Sequence, residues 1–194
     1  MELVFCTNSV HKSQEVARII GEEIAFLSLQ DISFFDEIPE PYNTLEENSL
    51  AKANQVFKKT GRDVFAEDTG LFIESLNGEP GVYSARYAGE PSDSDKNIQL
   101  VFEKLKDVQN RKAHFKTVIT LILDGKVTQF EGICKGQIAS EKSGVDGFGY
   151  DPIFIPQGSE RTFAEHTADE KNAVSHRRLA FDAMAAYLKT VFMC

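Results

Sequence analysis

The spacing of apolar residues along the first third of the chain predicts a strand, a helix and a second strand. Leu3–Cys6 is a short apolar run typical of a buried strand. A helix with one apolar face should follow and end at Gly21, and Ile24–Leu29 has the composition of another strand. The apolar face predicted for the helix is Val16, Ile19 and Ile20.

A second helix is predicted between a proline-containing loop and a pair of short strands. Thr44, with Glu47 three residues later, forms a capping box, and the helix should end near Gly61. Val64–Ala66 and Leu71–Ile73 then read as two short strands. The inward face predicted for this helix is Leu50, Ala53 and Phe57.

The remaining pattern predicts another helix, a long hairpin and a final helix. Ile98–Leu105 has helical apolar spacing, whereas Phe115–Leu123 and Val127–Ile138 have a period of two. Their junction, Asp124-Gly125, favours the positive φ angles of a tight hairpin turn. The other predicted features are a turn at Asn77-Gly78 and one helix over Ala168–Phe192, capped by Thr167 and Glu170. This order of elements predicts an α/β fold, a mixed β-sheet flanked by helices, in a single domain over residues 1–194.

Composition and charge limit the classes of partner. The 194 residues include 21 Lys and Arg against 30 Asp and Glu, a net charge of −9, which disfavours nucleic-acid polymers and anionic membrane surfaces. No run is apolar and long enough to span a bilayer. The three cysteines form no C-x-x-C pair and indicate neither a disulfide framework nor a zinc site. We therefore expect a protein of the reducing cytoplasm that binds a small molecule.

The most informative polar pattern is the acidic pair Glu67-Asp68, which follows an apolar run and precedes Thr69-Gly70. We expect this pair to lie where a strand ends and the chain turns. Clustered carboxylates suit Mg²⁺, which prefers oxygen ligands and usually shares its coordination shell with substrate phosphates. Taken alone, the pair is also compatible with an exposed acidic turn.

Two further clusters suit an anionic ligand. Thr7–Lys12 lies where the first strand should end and the first helix begin, so its backbone N–H groups, the helix dipole and Lys12 together favour an anion. Asn8 or Ser9 could equally serve only as a helix cap. Lys52 shares a helix face with Asn48 one turn earlier, although an exposed lysine is the simpler interpretation of that position alone.

A glycine-rich segment and a basic helix suit a purine base. Gly144–Pro152 lets the backbone approach a flat ligand, and Phe148 or Tyr150 can stack on it. Lys171 and Arg177 are donors that match the O6 and N7 acceptors of a six-keto purine, whereas the adenine amino group would oppose them. A surface loop and a solvated basic stripe remain open as alternatives.

Together these clusters resemble the inosine triphosphate pyrophosphatase (Ham1-like) family over nearly the whole chain. The matching segments are Thr7–Lys12, Glu47–Ala53, Glu67–Gly70, Pro80–Tyr87, Gly147–Pro152, Glu170–Asn172 and Ser175–Arg177. The resemblance implies Mg²⁺-dependent hydrolysis of ITP, dITP and XTP to the monophosphate and pyrophosphate. It also implies an elongated, two-lobed fold with a central cleft, usually as a homodimer.

The resemblance further implies a role for each matching residue. Asp68 would be the general base and a metal ligand, with Glu40 and Glu67 as further metal ligands. The residues implied to hold phosphates are Thr7, Asn8, Ser9, Val10, His11, Lys12, Lys52 and Arg86. Thr69 is implied to bind the substrate. Those implied to hold the base and sugar are Phe148, Gly149, Tyr150, Asp151, Lys171, His176 and Arg177.

The chain departs from the family pattern at Ser9, where the family has an asparagine with a longer reach. Three other functions remain open beside the pyrophosphatase. A general nucleoside triphosphatase would release orthophosphate, a purine-nucleotide sensor would bind without turnover, and a structural module would leave these clusters unexplained.

Overall fold

The computed structural model describes residues 2–20 and 25–192. In chain order the strands are β1 (Leu3–Phe5), β2 (Phe26–Ser28), β3 (Val64–Ile73), β4 (Pro80–Gly81), β5 (Lys112–Leu123), β6 (Lys126–Ile138) and β7 (Phe154–Pro156). The helices are α1 (Val10–Ile20), α2 (Leu45–Thr60), α3 (Ser94–Lys104), α4 (Ala168–Val174) and α5 (His176–Phe192). The predicted α/β class is therefore confirmed. Gly21 and Ile24, where a helix end and a strand start were predicted, lie outside the described residues.

Within the described residues the sheet has the strand order β2-β1-β3-β5-β6-β7, and β4 pairs with β3. β1 runs parallel to both β2 and β3, whereas β4 is antiparallel to β3 and β7 is antiparallel to β6. The sheet is therefore mixed, as the change of apolar period along the chain predicts.

Local turn and cap chemistry sets several element boundaries. Asp124 and Gly125 have φ angles of 50° and 76° and connect β5 to β6, which confirms the predicted hairpin. The Thr44 hydroxyl accepts a hydrogen bond from the Glu47 backbone N–H at 3.2 Å and begins α2. Gly61, at φ 65°, donates its N–H to Phe57 O and ends the helix.

The division of the middle strands was predicted wrongly. Residues 64–73 form one continuous strand, β3, so Glu67 and Asp68 lie in its interior and are 2% and 5% exposed. The polar stretch at 67–70 suggested a chain reversal because charged side chains usually require solvent. In the folded chain, buried cationic partners replace that solvent.

The final helix was also predicted wrongly, because the chain forms two helices. Thr167 and Glu170 make the predicted capping box of α4, but Ser175 has extended backbone angles, φ −72° and ψ 149°, and separates α4 from α5. Serine is unfavourable in a helix interior because its side chain can hydrogen-bond to nearby backbone groups. The second helix begins at His176. The inward face of α2 also differs from the prediction, since it includes Asn48, Ser49 and Lys52 beside Ala53 and Val56.

The chain divides into two compact units. Unit 1 comprises residues 1–68, 117–132 and 177–194, and unit 2 comprises residues 69–116 and 133–176. Among its described residues, unit 1 has two apolar clusters, one around Phe5, Phe65 and Phe181 and another around Val56 and Ala66. Unit 2 has one apolar cluster, which includes Phe115 and Phe154. Across the described parts of the chain, every helix is too short or too polar to cross a bilayer.

Candidate active site

The loop between β1 and α1 is folded by its own small polar side chains. The Thr7 hydroxyl accepts a hydrogen bond from the Ser9 N–H at 3.1 Å, and the Ser9 hydroxyl accepts one from the Lys12 N–H at 3.3 Å. Ser9 therefore caps α1, a role that the sequence left open. Asn8, in the loop, is exposed, and so are Val10 and His11, the first two residues of the eleven-residue helix. A phosphate approaching here would meet the positive end of the helix dipole.

Lys52 links two of the predicted metal ligands in unit 1. Its ammonium group donates to Asp68 Oδ1 at 3.0 Å and to Glu40 Oε1 at 2.5 Å. Burial lowers the pKa of Lys52, but Asp68 and Glu40 outweigh burial, so the pKa lies above its ordinary value. Asn48, one turn earlier on α2, accepts a hydrogen bond from the Tyr42 N–H and donates one to Tyr42 O, which fixes the chain two residues beyond Glu40.

Asp68 combines burial with an oxygen that has no hydrogen-bond partner. Burial raises the pKa of this carboxyl above its ordinary value; Lys52 opposes that shift, and Glu40 adds to it. The second oxygen, Oδ2, is buried and accepts no hydrogen bond within the described structure. Such an oxygen normally carries an energetic cost unless a ligand, water or ion completes it.

Glu67, next to Asp68 on β3, is held by two cations. Arg177 donates from Nε to Oε2 at 2.8 Å and from a terminal nitrogen to Oε1 at 3.1 Å, and the Lys12 ammonium lies 3.3 Å from Oε1. Burial raises the pKa of Glu67, but the two cations outweigh burial and lower it to about 2. Arg177 also donates to Glu15, a residue of α1 that the sequence did not single out.

The fit to a divalent cation rests on Asp68 and Glu40. Over residues 2–20 and 25–192, no three His, Cys, Asp or Glu side chains form a group that could hold a metal ion. Both oxygens of Glu67 are occupied by Arg177 and Lys12, whereas Asp68 Oδ2 is not. A Mg²⁺ ion held by one or two carboxylates, water and substrate phosphates needs no larger protein set. Asp68 Oδ2 therefore fits such an ion, and Glu40 shares the Lys52 ammonium with Asp68.

In unit 2, the glycine-rich segment 144–152 bends so that its backbone donates a hydrogen bond to Asp151. One oxygen of this carboxylate, Oδ2, accepts hydrogen bonds from the Phe148 N–H at 2.8 Å and from the Lys171 ammonium at 2.7 Å. Lys171 Nζ also lies 4.9 Å from the centre of the Phe148 ring. This segment of unit 2 thus combines an aromatic ring, a backbone bend and a buried ammonium donor.

The glycines of this segment give a matched pair of stability predictions. Gly147 has φ 77°, and an added Cβ would lie 2.1 Å from Asp151 Oδ2; Gly149 has φ 60°, and nothing lies within 4 Å of its added Cβ. Both alanine variants meet left-handed strain, but only Gly147→Ala displaces Asp151 from its two donors. We expect Gly147→Ala to lower the free energy of unfolding by about 2 kcal/mol more than Gly149→Ala, as measured by urea denaturation. Equal losses would show that Asp151 is not held as described.

Two buried residues, Tyr150 and Asn97, hold the segment that carries Arg86; the sequence analysis named Tyr150 but missed Asn97. Tyr150 donates its hydroxyl hydrogen to Ser84 O at 2.8 Å. Asn97 on α3 accepts from the Ala88 N–H at 2.7 Å and donates to Ala85 O at 3.0 Å. Asn97 lies one position before Ile98, the first apolar residue of the buried face of α3. A polar residue beside that face could have indicated a buried hydrogen-bonding role.

The predicted site residues therefore fall into two groups. Unit 1 contains Thr7–Lys12, Glu40, Lys52, Glu67, Asp68 and Arg177. Unit 2 contains Thr69, Arg86, Phe148–Asp151, Lys171 and His176. His176 is buried and stacks on Phe115, with ring centres 4.6 Å apart. Arg177 was predicted with the base-binding group but lies among the carboxylates of unit 1.

Comparison with known proteins gives one family. The pattern of the Ham1 family matches residues 3–187. A dITP/XTP pyrophosphatase of Flavobacterium johnsoniae is 50% identical over 177 residues, which are 91% of this chain and 92% of that protein. A dITP/XTP pyrophosphatase of Christiangramia forsetii is 47% identical and covers 97% of this chain and 99% of its own.

A solved structure agrees with the sequence relatives. A HAM1 protein from Coxiella burnetii has a TM-score of 0.90 and 37% identity, covering 98% of this chain and 99% of that chain. Agreement in sequence pattern, length and fold leaves one assignment, and the chain belongs to the Ham1 family.

Proposed function

We propose that this protein hydrolyses the non-canonical purine nucleoside triphosphates ITP, dITP and XTP to the monophosphate and pyrophosphate. Its relatives at 50% and 47% identity carry the name dITP/XTP pyrophosphatase. The observation that carries the assignment is Asp68, a buried carboxylate with one oxygen held by Lys52 and one that accepts no hydrogen bond from any residue the structure describes. The reaction would remove these nucleotides from the pool before a polymerase uses them.

In the proposed reaction, water attacks the α-phosphorus, which gives the monophosphate and pyrophosphate. A water oxygen bonds to that phosphorus, the bond to the bridging oxygen of the β-phosphate breaks, and pyrophosphate leaves with the electron pair. Asp68 accepts the proton of the attacking water, and its raised pKa makes it a stronger base than an ordinary aspartate. Lys12, Lys52 and the start of α1 carry the positive charge that the phosphate oxygens require.

Mg²⁺ is the cofactor that these carboxylates suit, and Asp68 with Glu40 would hold it. When bound, the ion would neutralise charge on the phosphate oxygens and orient them. We also propose, from the family resemblance, that the protein is cytoplasmic and forms a homodimer. Sedimentation analysis would test the second proposal directly.

Recognition of the base is assigned to unit 2. The Lys171 ammonium donates one hydrogen bond to Asp151 and carries only donor hydrogens, so it suits the O6 atom of hypoxanthine or xanthine and opposes the amino group of adenine. Phe148 offers an aromatic face beside that ammonium group. A site with this polarity should therefore prefer six-keto purines to adenine.

Hydrolysis of dITP in ¹⁸O-labelled water tests where the water attacks. We expect the label in the monophosphate, because attack at the α-phosphorus leaves the new oxygen there. Label in pyrophosphate would indicate attack at the β-phosphorus. Labelled orthophosphate as the first product would identify a general triphosphatase and refute the proposal.

A further inference from the structure

A chain of four alternating charges in unit 1 links α1, β3 and α5. It runs from Glu15 to Arg177, then to Glu67 and finally to Lys12. The Arg177 side chain is 2% exposed, that of Glu67 is fully buried and that of Glu15 is 10% exposed, whereas the Lys12 side chain is 22% exposed. Lys12 is therefore the member of this group that meets solvent most openly.

The bonds within this chain are unequal. Arg177 donates hydrogen bonds to both oxygens of Glu67, at 2.8 and 3.1 Å, and so forms a bidentate pair. The Lys12 ammonium contacts only one of those oxygens, at 3.3 Å. A guanidinium in this geometry satisfies a carboxylate more fully than a point charge does. Glu67 therefore holds Lys12 loosely because Arg177 already neutralises it.

We propose that Arg177 is a positioning residue that acts on Lys12 through Glu67, and that Glu15 anchors Arg177 from the other side. The proposal rests on the proposed function, in which Lys12 binds substrate phosphates. Without Arg177, the buried charge of Glu67 would draw Lys12 inward, and the phosphates would lose a partner. Arg177 then influences binding of the triphosphate, not the identity of the base.

The test measures binding of inorganic tripolyphosphate by calorimetry, without any base and without turnover. Arg177→Met should weaken binding about 10-fold, the scale expected for one charge-assisted contact. Adding Glu67→Gln to that variant should restore most of the affinity, because the uncompensated charge is then gone. Arg178→Met is the matched control, because the Arg178 side chain follows Arg177 in the sequence but is exposed and pairs with Asp182 on the surface. The affinity of this control variant for tripolyphosphate should equal that of the parent protein.

A milder variant covers the possibility that Arg177→Met fails to fold. Glu15→Gln keeps Arg177 and Glu67 in place but loosens the anchor, and it should weaken tripolyphosphate binding about threefold. Failure of the double variant to recover affinity, or unchanged binding in the Glu15 variant, would overturn the proposal. Absence of tripolyphosphate binding by the parent protein would overturn it as well.

Turnover separates this proposal from the function itself. In the folded Arg177 or Glu15 variants, KM for dITP should rise while kcat and the preference for dITP over dATP stay close to the parent values. A fall in that preference would show that Arg177 contacts the base and would refute the positioning role. If the parent protein binds tripolyphosphate but hydrolyses no dITP, the proposed function fails while the binding results still decide this inference.

Discussion

Asp68→Asn should reduce kcat for dITP by about 10³-fold, the scale of general-base catalysis, while the substrate still binds. The amide keeps the shape of the side chain but cannot accept a proton from water, and Lys52 retains Glu40 as a partner. Single-turnover rates and calorimetric binding of dITP would measure the two effects separately.

The matched control for this variant is Asp36→Asn. Asp36 is an exposed aspartate of the same unit that pairs with the exposed Lys59, so its loss should leave kcat within about twofold, as surface pairs contribute little. A folded Asp68→Asn enzyme that turns over dITP near the parent rate would remove Asp68 from the mechanism.

Lys171→Met should abolish most of the preference for dITP over dATP. A site that hydrogen-bonds a substrate group can reject an analogue that reverses or lacks it by about 10⁴-fold. Loss of the ammonium donor should lower kcat/KM for dITP by about 100-fold and leave the slow reaction with dATP nearly unchanged. Steady-state kinetics on both nucleotides would give the ratio.

Two controls accompany the Lys171 variant. Lys142→Met removes an exposed lysine of the same unit that pairs with Asp95 and should not alter the ratio. Adding Asp151→Asn to Lys171→Met removes the buried charge that loses its partner, so a folded double variant would still report on selectivity. A ratio of kcat/KM for dITP over dATP that stays at the parent value in both Lys171 variants would assign recognition of O6 to another donor.

Local sequence rules predicted much of the fold because they depend on neighbouring residues. The Asp124-Gly125 turn, the Thr44 cap and the apolar face of α3 each follow from a few adjacent positions. The continuity of β3 through Glu67 and Asp68 depends on cationic partners far away in the chain, Arg177 and Lys52. Apolar period and turn chemistry do not encode those partners.

The candidate site shows the same division. Asp151 and Lys171 lie 20 residues apart, and their pairing completes a glycine-rich segment that the sequence marked clearly. Glu67 and Arg177 are 110 residues apart in the sequence, and no local sequence pattern predicts their pairing. The residue types predicted for the site were sufficient to suggest a nucleotide ligand. The buried partners that shift the pKa values of these residues could be identified only from the structure.

The most direct test of the proposed function compares Mg²⁺-dependent hydrolysis of dITP and XTP with that of dATP, dGTP and dTTP. Phosphate is measured before and after adding inorganic pyrophosphatase. A phosphate signal for dITP and XTP alone, and only after that addition, is the predicted result. Direct release of orthophosphate, or comparable turnover of the standard nucleotides, would contradict the account.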